Sequence, residues 1–80
     1  MSRARAVVDV VARALAGRPD EVQVTEVDRR GLTVIALSMA PGELGRVIGR
    51  QGRTAAAIRT LAAAAGELDG AKVTVDFNDD

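Results

Sequence analysis

Val47-Ile48-Gly49-Arg50-Gln51-Gly52-Arg53 is the stretch on which the fold turns. Two glycines three apart bracket two polar side chains, with aliphatic residues before them and an alanine-rich helical pattern after. Glycine permits backbone conformations and close approaches that a Cβ blocks. A helix opening directly after such a turn points unpaired N–H groups outward, which favours an anion. The stretch therefore reads as a turn that grips phosphate.

Toward the C-terminus, the spacing predicts a helix over 53–65, with Ile58, Leu61 and the alanines packing and Gly66 as its stop. Residues 67–70 form a tight loop. A strand over 71–77 then alternates Ala71, Val73, Val75 and Phe77 with Lys72, Thr74 and Asp76. Asn78-Asp79-Asp80 is a frayed tail.

Toward the N-terminus, a short helix begins at 40–43 with Pro41 in its first turn, and Leu44, Val47 and Ile48 are its apolar face. Residues 32–39 are nearly all apolar, the pattern of a central strand buried on both faces. A strand over 21–28 precedes it across the turn Asp28-Arg29-Arg30-Gly31, and its alternation falters at Glu26-Val27. Residues 3–16 read as a helix capped by Ser2, with Val7, Val8, Val11 and Leu15 as the apolar stripe and Gly17 then Pro19 ending it.

The order is helix, strand, strand, helix, helix, strand, and the class is α+β. A strand–helix–helix–strand crossover brings its two strands side by side and parallel. The expected architecture is a three-stranded mixed sheet with the helices packed on one face. Eighty residues fit one domain, 1–80, of modest core. No cysteine is present, so disulfides and thiolate metal sites drop out, and the cytoplasm is the expected location. No apolar run is long enough to span a bilayer, so no membrane partner is expected.

The formal net charge is zero, but its distribution is uneven. No acid lies between Glu43 and Glu67, whereas Arg46, Arg50, Arg53 and Arg59 do. Acids gather at Asp20, Glu21, Glu26 and Asp28 and in the tail. The positive field is thus centred on the glycine turn.

The catalytic inventory is poor. There is no histidine, and neither Ser2 nor Ser38 sits in a nucleophile elbow. No carboxylate pair or metal cluster can be placed at the turn, so no cofactor is expected. Gly52-Arg53-Thr54 lacks the Walker lysine, and Gly45, Gly49 and Gly52 have the wrong spacing for a dinucleotide fingerprint. An enzyme has no residues to run on.

A helix ending Val-Ile-Gly, two polar residues, a glycine, then a basic helix with Ile58 and Leu61 resembles the core of the K-homology (KH) domain. The element order matches the type II arrangement. The span Glu43–Arg53, the following Ala57-Ile58-Arg59-Thr60-Leu61 and the stand-alone size are most similar to the small single-KH bacterial proteins of the KhpA family. The resemblance implies a clamp on about four nucleotides of single-stranded RNA, with a G-x-x-G loop on the backbone. Nothing in the sequence separates RNA from single-stranded DNA.

Carried over, Gly49, Arg50, Gln51 and Gly52 are the loop, and Arg53 and Arg46 add charge. Leu44, Val47 and Ile48 line an aliphatic groove, and which of Val47 and Ile48 faces it stays open. The resemblance makes 66–70 the other jaw, where Glu67 and Asp69 would repel phosphate. Phe77 is the single aromatic and reads as core, so base stacking on aromatics is not expected. Binding should be weak and sequence-tolerant, with a shallow salt slope. An RNA chaperone or post-transcriptional regulator follows, paired with itself or a second KH protein. The competing reading is a KH-folded association scaffold, on the ribosome or off it, with little RNA affinity.

Overall fold

The computed structural model describes residues 2–78. The chain folds as α1 (Arg3–Leu15), β1 (Gln23–Arg29), β2 (Leu32–Ser38), α2 (Gly45–Ile48), α3 (Arg53–Leu68) and β3 (Lys72–Asn78). A short 3-10 turn covers Pro19–Glu21, and Arg50–Gly52 form a kinked turn between α2 and α3. The tail residues Asp79 and Asp80 lie outside the described residues, and Asn78 closes β3 opposite Ser38 rather than fraying.

Helix α1 starts where Ser2 Oγ accepts the amide of Arg5 at 3.1 Å. Its buried row is Ala4, Val8 and Ala12, flanked by half-buried Val7 and Val11. The alanines, not Leu15, carry the stripe: Leu15 is at the helix end and exposed. Small residues at the centre of the row let the helix axis approach its neighbours closely. Arg13 holds the far end, donating to Asp9 Oδ1 at 2.9 Å and to the Pro19 carbonyl at 2.6 Å.

The sheet order is β1-β2-β3, antiparallel then parallel. The β1–β2 register runs unbroken from Gln23↔Ser38 to Arg29↔Leu32, so the faltering pattern at Glu26-Val27 is no bulge. Only Arg30 and Gly31 turn the hairpin, both at positive φ, the signature of a type I′ turn. β1 starts at Gln23 rather than Glu21, because Pro19–Glu21 coil into the 3-10 turn.

β2 is central but not buried on both faces. Ile35 and Leu37 have no exposure, whereas Val34 and Ala36 on the opposite face are half-buried and Leu32 is exposed. The helices cover one face only, and a side-chain period of two splits an apolar strand between core and solvent. The core gathers Ala4, Val8, Val24, Ile35, Leu37, Val47, Ile58, Ala62 and Val75.

Helix α3 runs past Gly66 to Leu68. Gly66 is buried because the helix passes tightly over β3: a Cβ there would collide with Val73 Cγ2 and lie 3.0 Å from the Ala71 carbonyl oxygen. The glycine is thus a packing notch, and the helix ends at Asp69-Gly70 instead. Leu61 lies off the buried row of Ala55, Ile58, Ala62 and Ala65 and is 51% exposed, so it does not pack in the core.

Candidate nucleic-acid interface

Met39 through Leu44 carry the chain from the end of β2 to α2. Helix α2 begins only at Gly45, because Pro41 and Gly42 form a turn with Gly42 at φ 83°. Glu43 anchors this passage. Its carboxylate accepts the amides of Gly17 and Arg18 at 2.8 and 2.9 Å and pairs with Arg46 Nε at 3.1 Å. Sequence reasoning missed this role, since partners 25 and 26 residues away leave no local pattern.

The glycine turn follows directly. Gly49 sits at φ 74°, ψ 175°, a region that is essentially glycine-only. A Cβ on it would also collide with the Thr54 side chain. Gln51 adopts φ 58°, ψ 23° and Gly52 φ 72°, ψ 14°, both left-handed. A Cβ on Gly52 would meet nothing within 4 Å. The two glycines therefore serve different ends: Gly49 for dihedral and space, Gly52 for dihedral alone.

These dihedrals fold the backbone into a tight reversal. The amide of Gly49 bonds the Gly45 carbonyl at 3.0 Å and that of Gly52 bonds the Gly49 carbonyl at 3.2 Å. Gly52 is the N-cap of α3 and brings no side chain to cap its first amides. The positive end of a 16-residue helix thus opens at the turn.

The expected site residues divide by exposure. Arg50 and Gln51 are exposed on the turn. Arg53 is exposed and donates to Gln51 Oε1 at 2.8 Å, which braces the two side chains together. Arg46 is exposed but drawn sideways to Glu43. Leu44 and Ile48 are half-buried. Val47 is fully buried in the core, so it supports the turn from beneath and presents no surface to a ligand. Of Val47 and Ile48, only Ile48 has surface exposed to solvent.

The expected second jaw is elsewhere. The α3–β3 turn is separated from the glycine turn by the whole length of α3, about 24 Å at 1.5 Å per residue. That is more than two screening lengths at physiological salt. Asp69 is also engaged: it accepts the Arg3 amide at 3.0 Å and pairs with the Arg3 guanidinium at 2.5 Å. The Arg3 amide, with the guanidinium beside it, holds its carboxyl below the usual carboxylate range. Repulsion from this acid does not reach the glycine turn.

Among the described residues, no group of three or more His, Cys, Asp or Glu is placed to hold a metal ion. No helix among them is long and apolar enough to cross a membrane.

The comparisons agree with this architecture. A family model described as the KhpA/KhpB KH domain matches residues 5–77. The chain is similar to the RNA-binding protein KhpA of Aquifex aeolicus, 41% identical over 77 residues, covering 96% of this chain and 98% of that one. It is 43% identical over 70 residues to the RNA-binding protein KhpA of Caldanaerobacter subterraneus subsp. tengcongensis, covering 88% and 93%. The RNA-binding protein KhpA of Halalkalibacterium halodurans is 40% identical over 75 residues, covering 94% and 99%. A helix–GxxG–helix turn at the end of a central strand, a three-stranded mixed sheet and this degree of identity together place the chain in the KhpA/KhpB KH-domain family.

Proposed function

We propose that this protein binds single-stranded RNA in the bacterial cytoplasm through the Gly49–Gly52 turn, as a chaperone or post-transcriptional regulator rather than a catalyst. The observation that carries this is the turn's geometry: left-handed backbone at Gln51 and Gly52, an uncapped helix end behind it, and exposed Arg50, Gln51 and Arg53 in front. Similarity to relatives named RNA-binding proteins supports the same reading. The glycines give phosphate a close approach to backbone amides, and Arg50 and Arg53 supply charge-assisted donors. Ile48 and Leu44 give the bases an apolar edge.

The test is Arg50→Asp combined with Gln51→Asp. Both side chains are exposed, so the circular dichroism spectrum should match that of the unaltered protein. RNA recovered after crosslinking in cells should fall by an order of magnitude or more. Unchanged recovery from a correctly folded double variant would sink the clamp.

A second reading concerns association. Val10, Leu61 and Leu68 are 66%, 51% and 74% exposed, on helices α1 and α3 that pack along each other. Large aliphatic side chains left this open on two helices that pack together are available for burial against a partner. We propose that a second KH domain, first of all another copy of this chain, covers it. Light scattering should return twice the chain mass, and Leu61→Arg should return it to the monomer. A wild-type protein that stays monomeric at high concentration would remove this reading.

A further inference from the structure

Arg59 of α3 lies over the Phe77 ring of β3, on the helix that opens at the glycine turn. The Arg59 guanidinium lies 4.8 Å from the centroid of the Phe77 ring. Its Nε–H donates to the Val75 carbonyl at 3.4 Å, which ties the side chain to β3. Phe77 is the single aromatic residue of the chain, half-buried opposite Leu37 in the β2–β3 register. Arg59 itself is exposed. A planar cation thus sits over a ring on a side chain that is exposed to solvent.

Arg59 stands on the same line as the turn. Gly52, Ala56, Arg59 and Ala63 fall at i, i+4, i+7 and i+11, one stripe along α3. Ala56 and Ala63 are exposed and small, so nothing on the stripe walls Arg59 off from Gly52. The stripe borders β3, as the contacts of Arg59 with Val75 and of Gly66 with Val73 both require. Seven residues of helix put Arg59 about 10 Å from Gly52. That is within the stretch of about four nucleotides that a GxxG clamp holds.

We infer that Arg59, seated over Phe77 and tied to the Val75 carbonyl, is a stacking platform for a base of the bound strand. The inference rests on the reading of Gly49–Gly52 as the backbone clamp. A guanidinium is planar and weakly hydrated, and it stacks on π faces as well as pairing with anions. Nucleobases in single strands stack on arginine planes as they do on aromatic rings. Prior seating on Phe77 removes much of the rotamer freedom that binding would otherwise have to freeze. The platform tolerates any base, because every base has a π face. A chain nearly without aromatics thereby has a stacking surface after all, made of one arginine and the ring beneath it.

The experiment compares the intact protein, Arg59→Lys and the Arg50→Asp/Gln51→Asp double variant. Each is titrated with a mixed-sequence single-stranded RNA octamer and with an abasic octamer of the same backbone. Lysine keeps the charge and loses the plane. Arg59→Lys should weaken the RNA octamer about tenfold, toward the low end of what one stacked base contributes, and leave the abasic octamer within twofold. Equal loss on both probes would make Arg59 a phosphate contact, and no loss on RNA would make it a staple between α3 and β3; either overturns the inference. If the abasic octamer binds too weakly to titrate, the salt dependence of RNA binding by Arg59→Ala decides. An unchanged slope supports stacking, and a slope reduced by about 0.7 means a lost phosphate contact and overturns it. The double variant separates the two ideas. If it still binds both probes, the clamp reading fails; if it loses both while Arg59→Lys binds RNA like the intact protein, only the platform fails.

Discussion

The carboxylate of Glu43 accepts the backbone amide of Gly17 at 2.8 Å. That bond joins the chain just past α1 to the passage that leads into the glycine turn, 26 residues away. A second amide, from Arg18, and the Arg46 guanidinium complete the carboxylate's surroundings. The close approach also explains Gly17, where a Cβ would lie 2.5 Å from Glu43 Oε2. Glu43→Ala leaves two amides without their charged acceptor. Hydrogen bonds to a charged group contribute about 1.5–3 kcal/mol each, partly recovered here by water because Gly17 and Arg18 are exposed although Glu43 is buried. A loss of about 2 kcal/mol is expected, read as a melting temperature lower by roughly 10 °C. A melt within 2 °C of the unaltered protein would mean that water replaces the carboxylate without cost.

The two loop glycines should respond differently to substitution. Gly49→Ala meets both a forbidden dihedral and the Thr54 side chain. Strain of this kind is worth about 1–3 kcal/mol before the collision is added. Gly52→Asn meets only a left-handed dihedral in open space, which asparagine tolerates. Urea unfolding should show Gly49→Ala destabilised by at least about 2 kcal/mol and Gly52→Asn by less than about 1 kcal/mol. Equal losses would contradict the division of labour between them.

Gly66→Ala separates helix propensity from packing. Alanine is favoured over glycine inside a helix by about 1 kcal/mol. Here the added methyl would be forced into Val73 and the Ala71 carbonyl. Overpacking a tight contact costs about 1–3 kcal/mol. The net expectation is a destabilised protein, by about 1 kcal/mol in a thermal melt. A stabilised variant would show that β3 can shift away from α3 without loss.

The Asp69–Arg3 pair gives a pH signature. Because Asp69 titrates below its ordinary value in the folded state, the unfolded chain takes up its proton first as pH falls. Its contribution is therefore fully present above the unfolded carboxylate pKa of about 3.9 and fades as pH drops through the lower folded value. Asp69→Asn removes this contribution at neutral pH. Melting temperatures of the two proteins should differ most at pH 6–7 and converge below about pH 4. A gap that stays constant down to pH 2 would mean that the pair is not formed in solution.

Element order, the parallel return of β3 and the glycine reversal at 49–52 were all legible in the sequence. They depend on local rules: side-chain period, a cap at Ser2, and glycines where the backbone reverses. What those rules could not supply lay in contacts between distant segments. Gly66 looks like a helix stop until β3 is placed against it. Leu61 looks like core until the buried row of α3 is fixed by α1 and the sheet. Val47 and Ile48 are equivalent aliphatics in sequence, and only packing buries the first and leaves the second half open. The apolar run of β2 implies two buried faces, but three helices covered just one. Glu43 and the Arg59–Phe77 pair are the furthest from local reading, since each needs partners from other elements. The sequence by itself thus determined which backbone shapes the chain can take and where its positive charge is concentrated, because dihedral preference and charge belong to single residues. Which side chains are paired, buried or exposed was decided by tertiary structure, because exposure and contact belong to pairs of elements.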